Sequence, residues 1–190
     1  MKIKEVKFYK SVAIETEKVF FEAKKEFIFI WRSNVWKSSL MNSIFEQKDL
    51  VKTSGTPWKT RTANLFLVNN KMYFTDLPGY GYAKMSKEGR AKLDALISWY
   101  IEEKKDNISK AILLIDSRHW ATGDDVAMYK YLMDLGIPMI IVLNKVDKIK
   151  QADLQKVKNK TKELFFWQRI IAYSSKTDKY KKEFLALLDD

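Results

Sequence analysis

Apolar residues fall along this chain in two alternating rhythms. The short runs "EFIFI", "ANLFLVN", "KMYFTD", "KAILLID", "PMIIVLN" and "RIIAYSS" read as strands, and several are apolar at successive positions, as expected where a sheet is covered on both faces. Between them, "KSSLMNSIFEQ", "SKEGRAKLDALISWYIEEKK", "DDVAMYKYLMDLG", "ADLQKVKNKTKELF" and "DKYKKEFLALLDD" carry the longer amphipathic spacing of helices. This alternation predicts an α/β protein: a mostly parallel six-stranded sheet with helices on both faces. The segment from Gln47 to Arg61 lacks a period and is rich in Thr, Ser, Gly and Pro, so a mobile loop is expected there. No repeat or linker divides the chain, and 190 residues suit one domain spanning 1–190.

Charge and composition narrow the setting. Lys and Arg number 35 against 24 Asp and Glu, a formal +11, which favours a polyanionic partner or surface. Cysteine is absent, so a disulfide framework and thiolate metal sites are excluded and a reducing, cytoplasmic setting is expected. The opening residues lack the apolar stretch of a signal peptide, and no run is long enough to cross a bilayer. Six glycines are about half of what a usual ~7% would give, while six tryptophans are many for so rare a residue.

Candidate chemistry sits where the strands end. A phosphate loop has the form G-x-x-x-x-G-K-[ST] between a strand and a helix, its glycines letting backbone N–H groups curl around phosphates. Residues 31 to 38, "WRSNVWKS", match it at Lys37 and Ser38 and place Trp31 and Trp36 at the two glycine positions. An ordinary strand-to-helix turn with a surface lysine would read the same way. "DLPG", Asp76 to Gly79, follows "MYFT"; such an Asp can hold Mg²⁺ through water, and such a Gly can donate its amide to a γ-phosphate. "NKVD", Asn144 to Asp147, closes "PMIIVL", where a carboxylate can accept both N1–H and the exocyclic amine of guanine. "YSSK", Tyr173 to Lys176, follows the last strand, where amides could meet guanine O6. Four such motifs, in the order phosphate, magnesium, base and base, belong at the carboxyl edge of a doubly wound sheet.

The chain resembles the EngB (YihA/YsxC) type of ribosome-assembly GTPase over essentially its whole length, through "RSNV-KSSL", "TP-KTRT", "TDLPGYGYAK", "DSRH", "NKVDK" and "SSKT". The resemblance implies a P-loop GTPase domain that binds GTP and GDP, and hydrolyses GTP as a switch in large ribosomal subunit assembly. It implies roles in growth and cell division, a precursor of the large subunit as partner, and a monomer with no membrane association. By the same matching, the nucleotide site comprises Trp31, Arg32, Ser33, Asn34, Val35, Trp36, Lys37 and Ser38. The first switch adds Trp58, Lys59, Thr60, Arg61 and Thr62, and the second adds Asp76, Leu77, Pro78 and Gly79. Asn144, Lys145, Val146 and Asp147, with Tyr173, Ser174 and Ser175, would hold the base. Lys37, Asp76 and Gly79 would serve catalysis, and Ser38 and Thr60 would bind Mg²⁺ directly. Asn34 either holds a potassium ion, as in related GTPases, or caps the loop backbone. Tyr80 stands where Ras-like proteins place a water-orienting Gln, so slow intrinsic hydrolysis is expected. His119 is either a base or, the favoured reading, a structural imidazole. The lysines of "EEKKDNISK" and "KVKNKTKE" either touch ribosomal RNA or form solvated helix faces.

The departures from the family are its tryptophans. Trp31, Trp36 and Trp58 replace motif glycines, and Trp120 stands where glycine is common; Trp99 and Trp167 lie outside the motifs. A side chain at a loop glycine of positive φ costs about 1–2 kcal/mol before its bulk is counted. Two readings follow. Either this is a nucleotide-free basic module that binds RNA or the ribosome, or UGA codons read as glycine in the source have been translated as tryptophan. The second accounts for low glycine and high tryptophan together, and it leaves Lys37, Ser38, Asp76, Asn144 and Asp147 intact.

Overall fold

The computed structural model describes residues 1–14, 22–32, 37–48, 50–51, 62–81 and 85–189. The elements run β1 (Val6–Val12), β2 (Lys25–Trp31), α1 (Lys37–Phe45), β3 (Ala63–Val68), β4 (Met72–Asp76), α2 (Lys87–Lys104), β5 (Ile108–Asp116), α3 (Gly123–Asp134), β6 (Met139–Asn144), α4 (Gln151–Leu164), β7 (Arg169–Ala172) and α5 (Lys181–Leu187). The expected α/β class holds, with one correction: the sheet has seven strands, ordered β1-β3-β4-β2-β5-β6-β7. The added strand, "VKFYKSV", hides in the sequence because its lysines and its exposed middle break the apolar run. A bulge between Phe8 and Lys10 interrupts its antiparallel pairing with β3, a common feature of sheet edges.

The β3–β4 hairpin turns through Asn69 and Asn70, with φ of 52° and 55°. Two consecutive left-handed residues make the tight turn whose twist suits a hairpin, and asparagine tolerates that conformation better than other side-chain-bearing residues. Asn69 Oδ1 also accepts the backbone N–H groups of Lys4 at 2.8 Å and Glu5 at 3.1 Å, fixing the entry to β1.

Strands β4, β2, β5, β6 and β7 are mutually parallel, so their carboxyl ends share one edge of the sheet. Alternation along β2 and β4 sorts residues to two faces. Phe27 and Phe29 each pack their rings against Phe74, and Phe45 of α1 joins Phe74 and Phe66. On the opposite face, Tyr100 of α2 donates its hydroxyl to Glu26 at 2.6 Å, and Thr75 bonds the same oxygen. Helices α1 and α2 therefore cover opposite faces. Chain order reverses between β2, which leads toward the β1 edge, and β5, which leads toward the β7 edge. That reversal opens the crevice where ligands bind in such sheets.

The structure sorts the tryptophans by backbone. Trp31 ends β2 in extended conformation, paired with Leu114 and buried, so φ makes no demand for glycine there. Trp120 is exposed beneath the ammonium of Lys160, 4.3 Å from the ring centroid. Trp167 is 99% exposed and held at φ 65°. It is the third residue of the turn closed by Gln168 N–H on Phe165 C=O at 3.4 Å, a position where a positive φ favours glycine. A bulky residue in the left-handed region is an outlier, so among the described tryptophans this one, which no motif singles out, is the one whose backbone asks for glycine. Trp36 and Trp58 lie outside the described residues.

Candidate functional site

Four motif segments meet at the carboxyl edge of the sheet. Strand β2 ends at Trp31, followed by Arg32, which bridges to Tyr80; α1 begins at Lys37, with Ser38 in its first turn. Asp76, 3% exposed, ends β4 opposite Phe29 of β2. Asn144 ends β6 opposite Asp116 of β5, and Tyr173 follows β7. The side chain of Lys37 and residues Ser33, Asn34, Val35 and Trp36 lie outside the described part, as do Trp58, Lys59, Thr60 and Arg61 and most of the expected loop from Gln47. Thr62 is described, its hydroxyl 3.3 Å from Asn64 Oδ1.

The segment after Asp76 is tied down by backbone bonds. Leu77 N–H donates to Phe29 C=O at 3.2 Å and Tyr80 N–H to Trp31 C=O at 3.0 Å, so residues 77 to 80 extend the β4 path along β2. The Tyr80 ring is buried and its hydroxyl donates to Asp125 Oδ1 at 2.6 Å. Burial, and then the neighbouring Asp125 carboxylate, hold that phenol well above its ordinary pKa. Tyr80 is thus spent on anchoring this segment to α3. The other oxygen of Asp125 accepts Thr122 N–H and Oγ1–H at 2.7 and 2.8 Å, capping the helix. Gly81 follows at φ 69°, a left-handed backbone that favours glycine; an added Cβ would also press on the Asp124 side chain, at 2.7 Å from Oδ2.

The base-side motifs are equally well connected. Asn144 is fully buried. Its Oδ1 accepts Lys145 N–H at 2.8 Å and its C=O accepts Ser117 N–H at 2.9 Å. Lys145 stands at φ 63°, a conformation uncommon outside glycine, and Asn144 supports it. Val146 N–H reaches Tyr173 C=O at 3.3 Å, and Tyr173 N–H reaches Leu143 C=O at 2.8 Å, which stitches the two turns together. Ser174 Oγ donates to Asp147 Oδ1 at 2.7 Å, aiming that carboxylate. The Tyr173 side chain is buried under α5, 2.6 Å from Ser43 Oγ of α1.

One cluster was only partly foreseen. In "DSRH", Asp116 binds both Arg118 and Lys145. Burial alone would raise its pKa, but hydrogen bonds from Arg118 and Lys145 outweigh burial and bring it to about 2. His119, expected as a structural imidazole, is instead exposed, with its backbone N–H on Asp116 C=O at 3.0 Å. A sheltered imidazole does not fit that placement.

As for a metal, the Ser38 hydroxyl stands in the first turn of α1 and the buried Asp76 carboxylate ends β4, both hard oxygen donors of the kind Mg²⁺ prefers. Among the described residues no group of three or more His, Cys, Asp or Glu could hold an ion by itself. A site here would depend on hydroxyls and nucleotide oxygens, in keeping with Mg²⁺ at phosphates.

This edge, with a strand-to-helix lysine loop, an Asp after the β4 strand and an Asn-Lys-x-Asp turn locked to a Ser turn, defines a P-loop GTPase. Comparison agrees. The family profile described as 50S ribosome-binding GTPase matches residues 26–145, and that of the elongation factor Tu GTP-binding domain matches residues 101–190. The "Probable GTP-binding protein EngB" of Clostridium kluyveri is 41% identical, covering 100% of this chain and 96% of its own. The protein of the same name from Chlorobaculum tepidum is 42% identical over 88% of each chain. Among solved structures, a probable GTP-binding protein EngB superposes with a TM-score of 0.73 at 28% identity, covering 86% of this chain and 96% of that one. Aquifex aeolicus Era bound to GDP·AlF4⁻ reaches a TM-score of 0.71 at 18% identity, over 88% of this chain and 56% of its own, a likeness of fold alone. The chain belongs to the EngB family of GTP-binding proteins.

Proposed function

We propose that this protein is a guanine-nucleotide switch acting in assembly of the large ribosomal subunit, in the cytoplasm, with glycine at positions 31, 36 and 58 of the native polypeptide. The observation that carries the nucleotide reading is the convergence of Ser38, Asp76, Asn144 and the Ser174-aimed carboxylate of Asp147 on one crevice. In this reading Asp147 accepts the two guanine donors, the amides of residues 173–175 meet O6, and the loop 31–38 wraps the phosphates. Lys37 offsets negative charge on the β and γ phosphates. Ser38 and Thr60 would hold Mg²⁺, with Asp76 acting through a water, and the ion would add to that neutralisation. Gly79 offers its amide toward the γ-phosphate. With Tyr80 turned to Asp125, no side chain at that position orients the attacking water, which supports slow hydrolysis until a partner or a cation, potassium at Asn34 being one candidate, assists.

The partner reading rests on the charge of +11 and on the family name carried by residues 26–145. The second switch would report the nucleotide state to that partner. The test is co-sedimentation with large-subunit particles, using the chain with Trp31→Gly and Trp36→Gly. Binding should be stronger with a non-hydrolysable GTP analogue than with GDP, and should fall steeply between 50 and 200 mM salt, as roughly expected where several phosphates are neutralised. Association indifferent to nucleotide and salt would contradict it.

A further inference from the structure

Asp116 and Arg118 have no part in the nucleotide contacts assigned so far, yet Asp116 is bonded to Lys145 of the base-side turn. Asp116 is the last residue of β5, 5% exposed as a side chain. Its Oδ2 accepts Lys145 Nζ at 2.6 Å and Arg118 Nη2 at 2.7 Å; its Oδ1 accepts Arg118 Nε at 2.9 Å and Arg118 backbone N–H at 3.0 Å. The Lys145 side chain is 12% exposed, whereas that of Arg118 is 41% exposed.

We propose that Asp116 is a positioning residue for the guanine pocket, holding Lys145 folded back against β5 so that its aliphatic stem forms a fixed wall beside the base. The inference rests on the reading of "NKVD" as the guanine-binding turn. Three features point this way. First, Lys145 combines a left-handed backbone with a tethered ammonium, so both ends of its side chain are fixed. Lysine otherwise carries a large rotamer entropy, which an untethered lysine would lose on ordering at a ligand. Second, a buried ion pair is a weak source of stability in its own right, and this one sits at the ligand edge of the sheet instead of within the core. Third, one carboxylate serves two cations, so Lys145 and Arg118 are held together at the carboxyl edge of the sheet. Arg118 clamps both oxygens from the solvent side and keeps Asp116 aimed at Lys145.

Two measurements decide it. Competitive acetylation with acetic anhydride, read by peptide mass spectrometry on the nucleotide-free chain, should find Lys145 protected relative to exposed lysines such as Lys156, with protection lost in Asp116→Asn. In the chain with Trp31→Gly and Trp36→Gly, GDP dissociation should quicken about tenfold in Asp116→Asn, the scale of a lost hydrogen bond to a charged group. Lys145→Ala should match it, and the double variant should be no faster than Lys145→Ala alone. Lys145 reactivity unchanged by Asp116→Asn, or additive effects in the double variant, would overturn the inference. Failure of the parent to bind any guanine nucleotide would instead bring down the pocket reading on which it rests.

Discussion

At the scale of single residues, the backbone and the sequence disagree at Trp167. An indole that is 99% exposed gains nothing from burial, while φ of 65° costs a side-chain-bearing residue about 1–2 kcal/mol. Trp167→Gly should therefore raise stability by about 1 kcal/mol, partly offset by the greater freedom of glycine in the unfolded chain. A urea midpoint that rises would confirm this; one that falls would contradict it. The same argument extends the codon reading: peptide mass spectrometry of protein from its source cells should show glycine at 31, 36 and 58, and at 167 as well. Sequence could point to the first three because motif positions name them. Position 167 was silent because its demand for glycine comes from the turn that joins α4 to β7, and that turn has no motif.

At the scale of elements, a buried acid joins three of them. Glu26 of β2 is fully buried beneath Tyr100 of α2 and Thr75 of β4, and burial raises its pKa above the usual carboxylate value. The hydrogen bonds from Thr75 and Tyr100, and after them the charge of Lys104 at the end of α2, oppose this without reversing it. A raised folded pKa means the folded state holds its proton longer than the unfolded state. The contribution is therefore complete below about pH 4.5 and is lost as pH rises through the folded value. Asp116, at about 2, works the other way, and its contribution is lost only as pH falls from its unfolded value toward about 2. Glu26→Gln keeps an oxygen to accept both hydroxyls but removes the titration. Between pH 5 and pH 8, its stability relative to the parent should rise, read from urea midpoints; parallel profiles would show that Glu26 does not titrate in that window. Sequence periodicity made β2 legible and hid this feature, because a single Glu in "KEFIFI" reads as the polar start of a strand. It took the pairing of β2 with β4 and the packing of α2 to show the carboxyl inside.

At the scale of the whole molecule, most of the architecture was legible because a central parallel strand must be apolar on both faces and its helices on one. The edge strand β1 escaped for the converse reason: one face is wet, so "VKFYKSV" carries lysines where an inner strand cannot. The crevice was legible because phosphate, metal and base chemistry each demand particular residue types at the ends of successive strands. Asp116 and Tyr80 were not, since their partners, Lys145 and Asp125, come from other elements and only the folded sheet brings them together. Recognition of guanine by this crevice through Asp147, with glycine completing the phosphate loop, is open to equilibrium titration of the chain carrying Trp31→Gly and Trp36→Gly with GDP, ADP and XDP, beside the same chain with Asp147→Asn. GDP should bind with ADP far weaker, and Asp147→Asn should lose at least about tenfold for GDP and gain for XDP. Equal binding of GDP and ADP, or GDP affinity untouched by Asp147→Asn, would contradict it.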